Sequence, residues 1–158
     1  MDEILSITEP IRELADSLGD RGEKMAADHL VRNGYRLVVA NFKVPVGRNS
    51  KGVQVTSEID LIALDGETLC FVEVKTRRSE DFTPVITNVD RRKQRQIIRA
   101  AKMYRRVFDV NDMPHRYDVV TVLMPKHSEP RIDLVKGLWT ESKFRKSSWG
   151  NGSWQELY

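Results

Sequence analysis

The chain has one cysteine in 158 residues, Cys70, and it lies inside an apolar run. No intrachain disulfide framework is possible, so a reducing, cytoplasmic compartment is the expectation. Cys70 itself reads as a small buried hydrophobe. No apolar stretch approaches the roughly 20 residues needed to cross a bilayer, so no membrane partner is expected. Met1-Asp2-Glu3 is acidic and is not followed by a basic region and an apolar core, which argues against a secretory signal. The three histidines, His29, His115 and His127, are far apart and lack ligand spacing, which argues against zinc. No glycine-rich phosphate loop and no Ser/His/Asp arrangement is present. The net charge is only +3, which permits a polyanionic partner without requiring one.

What is present is an ordinary globular composition, 40% apolar and 31% charged, at a one-domain length. Residues 1–19 read as a helical lead-in with Ile11, Leu14, Ala15 and Leu18 at helical spacing. That stripe can dock on the domain or on a second copy in a homodimer. Residues 21–33 predict a helix with Ala26, Ala27, Leu30 and Val31 inward and Asn33-Gly34 as its stop. Tyr35 to Phe42 predicts a strand, and the polar segment 43–56 a flexible basic loop.

Two apolar strand runs follow, Glu58 to Leu64 and Leu69 to Thr76, separated by Asp65-Gly66-Glu67-Thr68. Asp65-Gly66 is a hairpin signal. As a two-residue loop it sets Leu64 opposite Glu67, Asp60 opposite Phe71 and Glu58 opposite Glu73, with Asp60 diagonal to Glu73. Glu58, Asp60, Glu73 and Lys75 then share one face, roughly 5–8 Å apart. A four-residue loop keeps this alignment, and an odd-length one breaks it.

Residues 90–108 predict the longest helix, with Ile97, Ala101, Tyr104 and Phe108 as its apolar stripe. Tyr117 to Met124 predicts a buried strand ended by Pro125, and Ile132 to Val135 an edge strand. From Trp139 onward the tail reads as irregular and pinned by Trp139, Trp149 and Trp154. The order of elements indicates one α/β domain with a mixed sheet. Its parts are a lead-in over 1–20, a domain over 21–136 and a tail over 137–158.

Carboxylates held this close repel each other and call for a cation, and hard oxygen donors favour Mg²⁺ or Mn²⁺. Such an ion beside a lysine is the equipment of phosphodiester hydrolysis. The alternative reading of the same residues is an exposed hairpin end carrying a Glu-Lys surface pair. The long helix carries Arg91, Arg92, Lys93, Arg95, Arg99, Lys102, Arg105 and Arg106, with no acid from 91 to 106. Unrelieved like charge at helical spacing destabilises a helix, so a phosphate-tracking surface is expected here, extended by Arg77 and Arg78. Contacts of that kind position a nucleic-acid backbone without reading bases.

Several blocks recur together in order: Arg21-Gly22-Glu23, Asn33-Gly34-Tyr35, Asn41-Phe42, Glu58-Ile59-Asp60-Leu61-Ile62, Phe71 to Arg77, Lys93-Gln94 and Arg116 to Val120. In this the chain resembles the YraN family (UPF0102), small bacterial endonuclease-like proteins. That family is similar to archaeal Holliday-junction resolvases and to the restriction-endonuclease-like PD-(D/E)xK superfamily. The resemblance spans about Gly19 to Leu123 and implies a mixed β-sheet flanked by helices. It implies Asp60 and Glu73 as metal-binding carboxylates with the Val74 carbonyl as a further ligand. Lys75 becomes the catalytic lysine, Glu23 an additional carboxylate at the metal, and Gln94 a helix-borne polar residue near the site. The implied activity is Mg²⁺-dependent cleavage of DNA, structured or branched. The alternative is a nucleic-acid-binding accessory protein whose nuclease site is idle or conditional. The segment 43–56 departs from the family, which usually has a short link there, and Ser57 stands where a Gly is common.

Overall fold

The computed structural model describes residues 21–78 and 89–144. Within them lie helix α1 (Arg21–Arg32), strands β1 (Arg36–Arg48), β2 (Gln54–Asp65) and β3 (Thr68–Arg77), and helix α2 (Arg91–Val107). Strands β4 (His115–Leu123) and β5 (Arg131–Trp139) and a 3-10 turn over Glu141–Phe144 complete the order. The expected lead-in helix over 1–19 and the tail with Trp149 and Trp154 lie outside the described residues.

The strands form one sheet in the order β1-β2-β3-β4-β5. All neighbours are antiparallel except β3 and β4, which run parallel and so require a crossover, with α2 between them in sequence. Alternation along β3 explains the layering. Leu69 and Phe71 join Ile97, Ala101 and Tyr104 of α2, while Cys70 and Val72 join Ala26, Ala27 and Leu30 of α1. With a helix on each face, β3 and β4 are buried on both sides and read as nearly unbroken apolar runs. Burial pushes the Cys70 thiol up to about 12, so it behaves as the inert hydrophobe its sequence context indicates. No helix among the described residues is long and apolar enough to cross a membrane.

Glycine matters at two positions. A Cβ on Gly22 would overlap Thr76 Oγ1, so the first turn of α1 sits directly on β3. Gly66 has φ +58° and is the first of the two turn residues, Gly66-Glu67, between β2 and β3.

That turn corrects the expected register. Asp65 belongs to β2 and pairs with Thr68, and the ladder continues as Leu64↔Leu69 and Ile62↔Phe71. Every partner is displaced by two residues from the expectation, so Glu58 does not face Glu73. The segment 43–56 is not a loop. Lys43 to Arg48 pair with Gln54 to Glu58 as a two-stranded ribbon, leaving only Asn49 to Val53 as its turn. Asn49 Oδ1 accepts from the Lys51 and Val53 amides and organises that turn. Pro45 is accommodated because β1 is an edge strand. β5 is also longer than expected. It ends at Trp139, which is buried and stacked on Tyr117 at 5.4 Å rather than part of an irregular tail.

Candidate active site

The β2–β3 ladder ends at Leu61↔Val72, whereas β1–β2 and β3–β4 pairing both continue. The central hairpin therefore forks, and Asp60 and Glu73 are the next residue on each side. Beyond the fork the Val74 amide points at Asp60, whose Oδ2 accepts it at 2.7 Å. Glu73 is only 3% exposed. Its Oε1 lies 3.0 Å from Lys75 Nζ, and its Oε2 lies 3.4 Å from Lys93 Nζ on the first turn of α2. Oε2 is buried and accepts no hydrogen bond, so Lys93 offsets its charge without capping it.

Burial pushes the Asp60 carboxyl up to about 7, and the charge of Glu73 pushes it the same way. The Val74 amide and Lys93 pull against this, and Glu23 adds to the repulsion. Glu23, half-buried on α1, thus belongs to the same electrostatic neighbourhood.

Asn41 completes the neighbourhood, and sequence reasoning assigned it no role. It has φ +53°, a left-handed conformation that Asn tolerates better than most residues. With its amide turned to satisfy both ends, Nδ2 donates to Glu58 Oε1 at 3.1 Å and to Glu23 Oε2 at 3.2 Å. A signal was present in the sequence: an Asn in the middle of a strand marks a local irregularity.

The structure thus gathers Glu23, Asp60, Glu73, Lys75 and Lys93. Gln94 lies beside Lys93, but its Nε2 donates to the Val89 carbonyl at 2.7 Å and its buried Oε1 has no partner. Among the described residues no group of three His, Cys, Asp or Glu side chains stands ready as a metal cage. The donor set at the fork is Asp60 and Glu73, all hard oxygen, with one buried carboxylate oxygen lacking a hydrogen bond. This suits Mg²⁺ or Mn²⁺, because Mg²⁺ retains several waters and takes only one or two carboxylates.

The basic residues divide. Arg91, Arg92, Arg95 and Arg99 are exposed on α2, whereas Lys93 is turned to Glu73. Arg95 lies 5.4 Å over the Phe144 ring, and Lys102 Nζ is 3.7 Å from Glu141. Arg105 is buried and donates to Glu141 Oε1 at 2.8 Å. Tyr117 Oη donates to that oxygen at 2.8 Å, and His115 Nε2 lies 3.1 Å from it. Glu141 therefore ties the 3-10 turn to α2 and β4. Asp118 is fully buried and ion-paired with Arg116, so its role is structural. Arg77 ends β3 and Arg78 follows it, two and three residues beyond Lys75.

A mixed five-stranded sheet with helices on both faces makes this an α/β protein of restriction-endonuclease-like architecture. The chain belongs to UPF0102, described as an uncharacterised protein family, whose model matches residues 22–122. It is similar to a UPF0102 protein of Chlorobium limicola, 38% identical over 132 residues covering 80% of this chain and 95% of the relative. A Geotalea uraniireducens UPF0102 protein is 40% identical over 120 residues, covering 76% and 87% of the two chains. One from Chlorobaculum tepidum is 45% identical over 106 residues, covering 67% and 74%.

Proposed function

We propose that this protein is a metal-dependent nuclease that hydrolyses phosphodiester bonds of DNA, with structured or branched DNA as its substrate. The observation that carries the reading is the fork itself. It sets two adjacent carboxylates, Asp60 and Glu73, against a lysine 3.0 Å from one of them. A surface ion pair does not account for that arrangement, because Glu73 is buried and Asp60 is pushed toward its neutral form by burial and by the like charge of Glu73. Asp60, Glu73 and the Val74 carbonyl would hold Mg²⁺ or Mn²⁺, with Glu23 adding negative charge from α1. A hard divalent ion there supplies Lewis-acid polarisation of a phosphate and a more acidic bound water. Lys75 positions the attacking water and offsets charge that develops on the phosphoryl oxygens. The exposed arginines of α2 hold the backbone without reading sequence, while Lys93 stays with Glu73.

One observation favours a second reading, an accessory nucleic-acid-binding protein with a conditional site. Glu73 is already neutralised by Lys75 and Lys93, so a metal must compete with two ammonium groups. A metal-titrated cleavage assay on branched, flapped and linear DNA decides between the two. Wild type should cleave with Mg²⁺ or Mn²⁺, and Glu73→Ala and Lys75→Ala should each lose roughly a hundredfold or more in rate. Equal cleavage by Glu73→Ala would refute the site. Tight binding with no cleavage at any metal concentration would favour the accessory reading.

A further inference from the structure

We infer that the cleft at the far end of β3 is a second phosphate-binding site, which holds a backbone phosphate flanking the scissile one. The inference rests on the nucleic-acid reading above and adds where the backbone leaves the catalytic fork. The cleft measures about 800 Å³. It is lined by Arg21 at the start of α1, Arg77 and Arg78 at the end of β3, and Lys126 and Ser128 after β4. Among the described residues that line it, these four cations meet one acid, Glu129.

Three features make this an anion site rather than a chance gap. Its walls come from three separate segments whose positions are fixed by the fold. Gly22 lets the first turn of α1 rest on Thr76, and the Met124 amide donates to the Arg77 carbonyl at 2.7 Å, which locks the β3 and β4 ends together. It also lies at the carboxyl ends of the two parallel strands, where open α/β sheets take their ligands. Finally, Arg77 ends β3 and Arg78 follows it, so these two positions lie about 7–10 Å along the chain from Lys75. That is close to the spacing of one or two successive phosphates on a strand. The α2 surface is less available than its charge indicates, because Glu141 engages Lys102 and Arg105 and Arg95 stacks over Phe144.

The test uses the full chain and fluorescein-labelled DNA, both branched and linear, with binding followed by anisotropy across a salt series without divalent metal. Arg78 and Lys126 are exposed, so Arg78→Gln with Lys126→Gln should leave the fold intact, and circular dichroism checks this. The expected result is about a tenfold weaker Kd and a log-log salt slope shallower by roughly 2, one contact for each charge removed. Arg32→Gln, an exposed charge at the other end of α1, should leave the slope within about 0.3 of wild type. If wild type binds and the double variant keeps its slope, the cleft is not a phosphate site while the nucleic-acid reading stands. If wild type binds no DNA even at low salt, both are overturned.

Discussion

The Asp60 carboxyl offers the sharpest physical test of the site, because its expected behaviour can be measured without any activity. Asp60→Asn keeps an oxygen to accept the Val74 amide and removes the charge. In the wild type the folded state holds a proton on Asp60 up to about pH 7, whereas the unfolded chain releases it near 3.8. A folded pKa raised on an acid means that stability is fully present below 3.8 and is lost as pH rises toward 7. The whole window corresponds to about 4 kcal/mol, of which roughly 2–3 kcal/mol falls between pH 5 and pH 8. This is a ceiling, since a partly exposed carboxyl relaxes toward water. For a chain of this size the difference is about 5–10 °C in Tm. Thermal melts in EDTA should therefore show Asp60→Asn gaining on wild type as pH rises from 5 to 8. Comparing the two proteins at each pH cancels the titration of groups away from the fork, so the difference reports Asp60 with its coupled neighbours. Saturating Mg²⁺ at pH 8 should then raise the wild-type Tm and leave Asp60→Asn nearly unmoved. A Tm difference that is flat with pH would refute the electrostatic account of the fork. An equal Mg²⁺ response in both proteins would refute the assignment of Asp60 to the metal.

Other substitutions probe the frame around the fork. Gly22→Ala should cost about 1–3 kcal/mol in urea unfolding, because the new methyl overlaps Thr76 Oγ1; Thr76→Ala in the same chain should restore part of it. Glu141→Gln should destabilise by roughly 2–4 kcal/mol, since Arg105 is buried and loses its charged partner. Hydrogen bonds from Tyr117 and His115 and the charge of Arg105 outweigh burial and hold the Glu141 carboxyl below its ordinary 4.5. Its contribution to stability is therefore present above pH 4.5 and lost as pH falls through the folded value, so the wild-type advantage over Glu141→Gln should shrink in acid melts. Asn41→Gly tolerates the left-handed backbone but breaks the bridge between Glu23 and Glu58, so it should leave Tm within about 3 °C of wild type while altering metal dependence of cleavage.

How much of this was legible beforehand depended on which physical signal each part carried. The helices read well from Ala26, Ala27 and Leu30 of α1 and from Ile97, Ala101 and Tyr104 of α2, whose burial follows the helical period, but Val31 and Phe108, expected on those stripes, lie exposed at the helix ends. The β1–β2 ribbon did not. Its first strand carries Pro45 and Gly47, both depleted in strands, with Asn49 and Gly52 close by in its turn, and pairing at an edge overrode those local preferences. Glu141 was equally hidden, because its partners Arg105, His115 and Tyr117 are distant in the chain and only the fold brings them to one oxygen. The neutralisation of part of the basic helix was therefore invisible in a count of its charges.

The hairpin shows why a wrong detail could leave a usable site. Asp65-Gly66 was read as the turn, but the left-handed φ falls on Gly66 as the first turn residue, which moves the pairing by two. A displacement of two returns every side chain to its own face, whereas a displacement of one would have inverted them all. Asp60 and Glu73 consequently become next in line after Leu61↔Val72, where a diagonal relation had been expected. The same displacement removes Glu58 from Glu73 and hands it to Lys43, 3.6 Å away, and to Asn41. Two carboxylates rather than three therefore meet at the fork. That count, with Lys75 and Lys93 already on Glu73, makes the pH and Mg²⁺ response of Asp60 the measurement that separates a working metal site from a merely buried charge cluster.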